Sequence, residues 1–376
     1  MFSKRVENLN PYVPGEQPKD REYIKLNANE NPYPPSPKAI NEISNFVNSN
    51  GMKLALYPDP DSTELSTAIA EHLNKTGGCM NNPQKLKNPI TKDMVFCGNG
   101  SDEVLSFVFY ALFDKLIIPE HTYSFYPVYC DFYGIELEKI PLNKDFSINK
   151  ELMLEKAKSA SGMIFANPNA PTSLALSNDE IRTMLQNYPK DKVFVVDEAY
   201  ADFGDESVLS LLDEFENLVV VRTFSKSMCS AGMRLGYLVA SEKIISVIKT
   251  AKNSFNHFPV DAITQEAGIA SCNDTDYYVD CTKKIVNVRQ DFCNFLQENG
   301  WTFYDSKTNF ILTKKDGISG KEVYEAIKKQ GILVRHFSTK GIEDFVRISV
   351  GTKEQMEQLK QIMKTLWYNR ENFWIV

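Results

Sequence analysis

The segment TFSKSMCSAGMRLGY sets Lys226 among small and hydroxyl residues, just after an apolar run at Leu218–Val221. A lysine held partly out of water in such a loop is a nucleophile that condenses with a carbonyl to give a Schiff base. Arg234, eight residues on, carries a planar fork matched to phosphate, and Thr223 and Ser225 add hydroxyl donors for the same anion. A lone lysine is ordinarily a solvated surface residue; these neighbours argue against that reading. In VFVVDEAYADF, Asp197 ends an apolar run, and a carboxylate buried there needs a partner. An arginine would make a structural ion pair, whereas a protonated ring nitrogen would make a functional one. Tyr200, three residues further, is in reach of a hydroxyl on the same ring. GNGSDE (98–103) precedes an apolar helical stretch, so the backbone N–H groups of Ser101 and Asp102 stand at a helix N-terminus, which favours an anion. The plainer reading is an N-cap in which Asp102 and Glu103 complement the helix dipole.

Other candidates carry weaker signals. Tyr123 in PEHTYSFY could lay its ring on a planar ligand, or pack in a core with Phe125, Tyr126 and Tyr129. Tyr57 lies in a proline-bounded loop, LALYPDPDST, where an ordinary turn is the default. Arg335 in ILVRHF and Arg347 in FVRISVG interrupt apolar runs, placed either to grip a substrate anion or to form surface salt bridges.

These residues must be held by a scaffold, and the hydrophobic pattern supplies one. Short apolar runs at Met94–Cys97, Leu116–Ile118, Ile135–Ile140, Met163–Ala166, Val193–Asp197, Leu218–Val221 and Tyr237–Ala240 read as strands. Helical stretches such as Ser101–Phe113 and Asn178–Asn187 alternate with them. The expected fold class is α/β: a large domain with a mainly parallel sheet flanked by helices, plus a smaller α+β domain. We expect residues 1–34 to form an N-terminal arm packing on the small domain or a partner subunit, 35–250 the large domain, and 251–376 the small one. Long helices are expected at Glu242–Ser254 and Tyr277–Asn299, and the second domain is read from the tail that follows, with strands at Asn309–Leu312, Ile332–Val334 and Val346–Val350 and helices at Lys321–Lys329 and Lys353–Trp367. Five polar clusters follow predicted strands: GNGSDE, the segment around Tyr123, NPNAPTS (167–173), DEAY (197–200) and RTFSKSMCSAGMR (222–234). Ligands of open α/β sheets bind at those carboxyl ends.

Composition narrows the function classes. The chain has 376 residues, 43% hydrophobic and 24% charged, with a net charge of -7, which disfavours a nucleic-acid surface. No apolar run approaches the roughly 18 residues needed to span a bilayer, and the first residues lack a secretory core, so a cytoplasmic protein is expected. Seven scattered cysteines without a C-x-x-C pair suggest neither a disulfide framework nor a zinc site, and no metal is expected. A nicotinamide-dependent dehydrogenase would fit the α/β pattern, but its glycine fingerprint is missing.

The ordered motifs LNPYVPGEQ, KLNANENPYPPSP, YPDPDSTEL, GNGSDE, VVDEAY, TFSKSMCSAGMRLGY, KTNFIL, LVRHF and FVRISVG span nearly the whole chain. They closely resemble the class I/II aminotransferase family of fold-type I enzymes, which use pyridoxal 5'-phosphate (PLP). The resemblance implies a PLP-dependent transfer of amino groups between small molecules, glutamate and a phosphorylated amino alcohol. It implies that Lys226 bonds the cofactor and later shuttles the proton, Asp197 pairs with the pyridine nitrogen, Tyr200 contacts the ring hydroxyl, and Tyr123 stacks on the ring. Ser101, Asp102, Thr223, Ser225 and Arg234 would hold the cofactor phosphate. Tyr57 would reach that phosphate from a partner subunit, implying a homodimer with shared active sites. Tyr12, Arg335 and Arg347 match positions facing the substrate's phosphate or carboxylate. One departure stands out: where the family loop reads N-N-P-T-G, this chain has Asn169-Ala170-Pro171-Thr172-Ser173. Either Asn169 turns inward to replace the asparagine missing at Ala170, or Tyr200 makes that contact alone; Ser173 in place of glycine suggests a slightly different backbone. An aromatic amino-acid aminotransferase, a PLP-dependent decarboxylase of a phosphorylated amino acid, and a non-catalytic binding module of the same fold remain as alternatives.

Overall fold

The computed structural model describes residues 4–7, 9–12, 15–49 and 51–371. Val13 and Pro14 of the opening motif lie outside them. Seven strands make the central sheet: β1 (Val95–Asn99), β2 (Lys115–Pro119), β3 (Glu136–Ile140), β4 (Gly162–Ala166), β5 (Val193–Asp197), β6 (Leu218–Thr223) and β7 (Leu235–Ala240). They lie in the order β1-β7-β6-β5-β4-β2-β3. Only β7 runs against its neighbours, β1 and β6.

The sheet is sandwiched. Gly162–Ala166 and Leu218–Thr223 are buried at every position, as expected for strands covered on both faces. Side chains alternate along β5: Phe194 and Val196 enter a core with Leu65, Ile69 and Phe165, while Val195 enters another with Val108 and Ile118. Glycine is needed where β7 passes the helix Gly100–Leu112. A Cβ on Gly236 would lie 2.3 Å from the Ser101 nitrogen, so the bare backbone lets that helix N-terminus sit against the sheet.

The smaller domain is an antiparallel sheet built on Phe310–Lys314 and Val346–Ser349, backed by the helices Gly320–Lys329 and Lys353–Glu371. Its core gathers Leu26, Phe292, Leu296, Ile311, Ile348 and Leu359. The arm joins this domain through Ile24–Lys25, which pairs parallel with Ile332–Leu333.

One expected boundary moves. The helix Ala262–Cys272 belongs to the large domain, where Gly268 lies against Leu65 and Leu235. The helix Thr275–Glu298 then spans both units: Tyr278 and Cys281 join the large core, and Phe292 and Leu296 the small one. The small core therefore starts partway along this helix rather than at residue 251. Burial of successive stretches against different partners decides this, and that does not show in the helix's own pattern.

Candidate active site

At the carboxyl ends of β4, β5 and β6 lies a pocket of about 130 Å³. Lys226, Asp197, Tyr200, Tyr123 and Arg234 line it, with Ser101, Asp102, Thr223 and Ser225. Five strand-end clusters far apart in sequence thus converge. Lys226 sits beyond β6, its Nζ 5.8 Å from the Tyr200 ring centroid, and its nearest acceptor is the Ala28 carbonyl at 3.4 Å. The loop carrying it is pinned by Asn31, whose amide donates to the Lys226 carbonyl at 2.8 Å.

Asp197 closes β5 at the pocket floor, only 4% exposed. It accepts from the Tyr126 hydroxyl at 2.7 Å and the Ala199 N–H at 3.1 Å. No cation lies within ion-pair distance of it among the described residues, and burial pushes its carboxyl up to about 6. A carboxylate so placed awaits a positive charge. The arginine pairing considered for it occurs one residue away instead. Buried Arg222 bonds Glu198 at 2.8 Å and Asp202 at 2.9 Å, while the Ser207 hydroxyl donates to Glu198 at 2.6 Å. Ser227, beside the lysine, donates to Asp202 at 2.5 Å, so one buried network braces the ends of both strands.

The opposite end of the pocket suits an anion. The N-terminus of Gly100–Leu112 faces Thr223, Ser225 and Arg234, and its first N–H groups have no intrahelical acceptor. Gly100 is left-handed (φ 80°), and a Cβ there would sit 2.5 Å from the Arg234 Nη2. The Asp102 carboxylate pairs with that guanidinium at 2.9 Å and accepts from the Tyr123 hydroxyl at 3.0 Å. Its side chain thus aims Arg234 and Tyr123, and only its backbone N–H is suited to an anion.

Asn169 does not turn inward. Its Oδ1 accepts from Thr122 at 2.9 Å, and its Nδ2 donates to the His121 carbonyl at 2.8 Å and to Thr172 at 3.0 Å. These bonds use up the amide, and Ala170 lines the pocket in its place. Ser173 keeps the left-handed backbone a glycine would adopt (φ 68°) rather than a different one.

A larger pocket of about 640 Å³ shares Tyr123, Tyr200 and Lys226 with the first and adds Tyr12, Arg335 and Arg347. Arg347 donates to the Asn27 carbonyl at 3.0 Å and, among the described residues, makes no ion pair and has a buried Nε without an acceptor. Burial lowers its pKa. Tyr57 is elsewhere: 84% exposed, it stacks on Phe258 at 4.6 Å. Sequence reasoning assigned no site role to Tyr126 or to the asparagines of NANEN (27–31), although that segment was among the motifs that carry the resemblance.

A carbonyl-reactive lysine, a buried carboxylate awaiting a cation, a facing aromatic ring and an anion cradle define a site for a phosphorylated, cationic ring cofactor, as PLP is. The model for aminotransferase class I and II matches residues 21–362, and the chain belongs to that family. Among its relatives, the histidinol-phosphate aminotransferase of Syntrophus aciditrophicus is 45% identical over 372 residues, covering 98% of each chain. The Acinetobacter baumannii enzyme of the same name is 42% identical over 366 residues, 96% of each. The structure of histidinol-phosphate aminotransferase from Sinorhizobium meliloti in complex with pyridoxal-5'-phosphate superposes with a TM-score of 0.81 at 23% identity. That match covers 97% of this chain and 98% of the other. Among the described residues, no helix is long and apolar enough to cross a membrane.

Proposed function

We propose that the chain is a cytoplasmic homodimer that transfers an amino group between glutamate/2-oxoglutarate and imidazole-acetol phosphate/L-histidinol phosphate, a step of histidine biosynthesis, with PLP as cofactor. Bound, PLP supplies a carbonyl that takes up the amine and a ring that draws electrons from the bond losing its proton. Lys226 would hold the cofactor and move that proton at its Nζ. Asp197, otherwise a buried carboxylate without a cation, keeps the ring nitrogen protonated. Tyr200 donates to the ring oxygen, alone among the family's usual pair because Ala170 has no side-chain amide. Tyr123 covers the ring face. Arg234, the hydroxyls of Thr223 and Ser225, and the N–H groups of Ser101 and Asp102 hold the phosphate.

Arg347 carries the reading of the substrate: a desolvated fork paired with no carboxylate among the described residues, opening on the pocket that holds Lys226. Such a group accepts a carboxylate in one half-reaction and a phosphate in the other. Arg335 and Tyr12 line the same pocket. Identity above 40% across full-length relatives of one name supports the same substrate pair. The dimer draws support from exposed Leu54, Leu56, Tyr57 and Phe255, apolar side chains that a partner would cover.

The test is a donor and acceptor screen on purified, PLP-loaded protein. Histidinol phosphate is compared with phenylalanine and tyrosine at matched 2-oxoglutarate, with Lys226→Ala as control. A strong preference for histidinol phosphate and loss of the cofactor's visible band in the variant are expected. Preference for the aromatic amino acids overturns the substrate, and a native-intensity band in Lys226→Ala overturns the role of the lysine.

A further inference from the structure

The segment NANEN threads between the domains and makes three contacts with two residues of the site, Arg347 and Lys226. The Asn27 carbonyl receives Arg347, the Ala28 carbonyl receives Lys226, and the Asn31 amide holds the Lys226 backbone. Asn29, at its centre, is 2% exposed and left-handed, with φ 55°. Such a backbone is uncommon for a residue with a side chain, and it persists where the surroundings hold it for a purpose. Here the surroundings are specific. The Asn29 N–H donates to Ser349 Oγ at 2.8 Å, Ser349 Oγ donates back to Asn29 Oδ1 at 3.1 Å, and Asn309 Nδ2 donates to the Asn29 carbonyl at 3.0 Å.

This pattern fixes the direction of one more bond. Ser349 has a single hydroxyl proton, and with the Asn29 amide reversed that proton would have no acceptor among the described residues, so it goes to Oδ1. Nδ2 must then face the Tyr200 hydroxyl, 2.9 Å away, and donate to it. The phenol oxygen accepts, so its own proton is left free to point into the pocket that Tyr200 shares with Lys226 and Asp197. Accepting a bond also polarises the phenol as a donor.

Resting on the PLP reading above, we infer that Asn29 is a positioning residue that sets Tyr200 as a one-way hydrogen-bond donor to the cofactor's ring oxygen. In this chain that bond has no asparagine beside it, since Ala170 stands at the matching position and Asn169 faces away. Asn29 is anchored by the small-domain residues Ser349 and Asn309, while Tyr200 belongs to the large domain. The donor is therefore aligned only when the two domains are packed together.

The test uses PLP-loaded protein and reads the pH midpoint of the bound cofactor's visible absorbance, not activity alone. A donor at the ring oxygen stabilises its negative charge and lowers that midpoint. The variants are Asn29→Gly, whose left-handed backbone glycine tolerates, Tyr200→Phe, and the two combined. Asp102, Asp197, Lys226, Arg234, Arg335 and Arg347, the charged groups around Tyr200, are unchanged in all three. Asn29→Gly should raise the midpoint by about half a pH unit, Tyr200→Phe by more, and the double variant no further than Tyr200→Phe. An unmoved midpoint in Asn29→Gly, or shifts that simply add, would overturn the inference. Should Asn29→Gly not fold, Ser349→Ala frees the amide and enters the same cycle with the same expected non-additivity. A wild-type protein without a visible band would defeat the PLP reading itself, which keeps the two failures apart.

Discussion

Ser173 is the place where this chain departs from glycine and keeps the glycine backbone, so replacing it with glycine should stabilise the fold. Its φ is 68°, it is fully buried, its N–H donates to the Asn169 carbonyl at 2.8 Å and its carbonyl accepts from the Lys307 N–H at 2.9 Å. Those bonds lock the conformation from both sides, while the Oγ is buried without a hydrogen-bond partner among the described residues. A left-handed non-glycine residue costs about 1 kcal/mol, and an unpaired buried hydroxyl about 1–3 kcal/mol. Glycine returns about 0.5–1 kcal/mol of that through the greater freedom of its unfolded chain. The net gain is about 1–3 kcal/mol, a rise of about 1–3 °C in the thermal midpoint for a chain this long. Ser173→Ala separates the terms, since it removes the hydroxyl and keeps the strained φ. Differential scanning calorimetry on the cofactor-free protein would rank glycine above alanine and alanine above serine. Serine as the most stable of the three would refute the reasoning.

Asp197 gives a pH dependence. Its folded carboxyl titrates at about 6, above its ordinary 3.8, so its contribution is fully present below the lower value and lost as pH rises through the upper one. Cofactor-free wild type should therefore fall behind Asp197→Asn by up to about 3 kcal/mol at neutral pH, with the gap closing as pH drops below about 6; urea unfolding across that range reads it. Arg222→Leu leaves Glu198 and Asp202 buried without their cation, and urea unfolding should show a loss of about 3–5 kcal/mol. Arg347→Lys keeps the charge and loses the fork, so steady-state kinetics should give a KM for 2-oxoglutarate about 10-fold or more higher; an unchanged KM would remove Arg347 from substrate binding.

The large sheet was legible because its strands are short apolar runs bounded by polar ends, and each predicted run overlaps an observed strand. The antiparallel course of β7 was not, since direction depends on which edge a strand joins rather than on its composition. The place of the helix Ala262–Cys272 was not legible for a related reason: it presents glycine and alanine on a close-packed face, and nothing in it states whose core that face fills.

Within the site, legibility followed how far a residue's role is carried by its own type. The roles proposed for Lys226, Asp197 and Arg234 are ones few other side chains can fill, so their placement at strand ends was informative by itself. Asn169 and Asn29 are the counter-case. Both are asparagines in motifs, and an amide that donates and accepts equally well serves a loop or a site, depending on which partners reach it first. For Asn169 one partner is local, Thr172 three residues away, and the other two, Thr122 and His121, come from the adjoining strand end 47 and 48 residues back, so the amide is spent on tying two neighbouring loops together. For Asn29 they are remote, Tyr200 at 171 residues' separation and Ser349 at 320, and only the assembled domains bring them together. A contact of that span cannot be read from spacing. On the function proposed above, Ala170 in place of the family's amide would leave the ring oxygen one donor short. What remains must come through Tyr200, and that places the burden on whatever orients its hydroxyl.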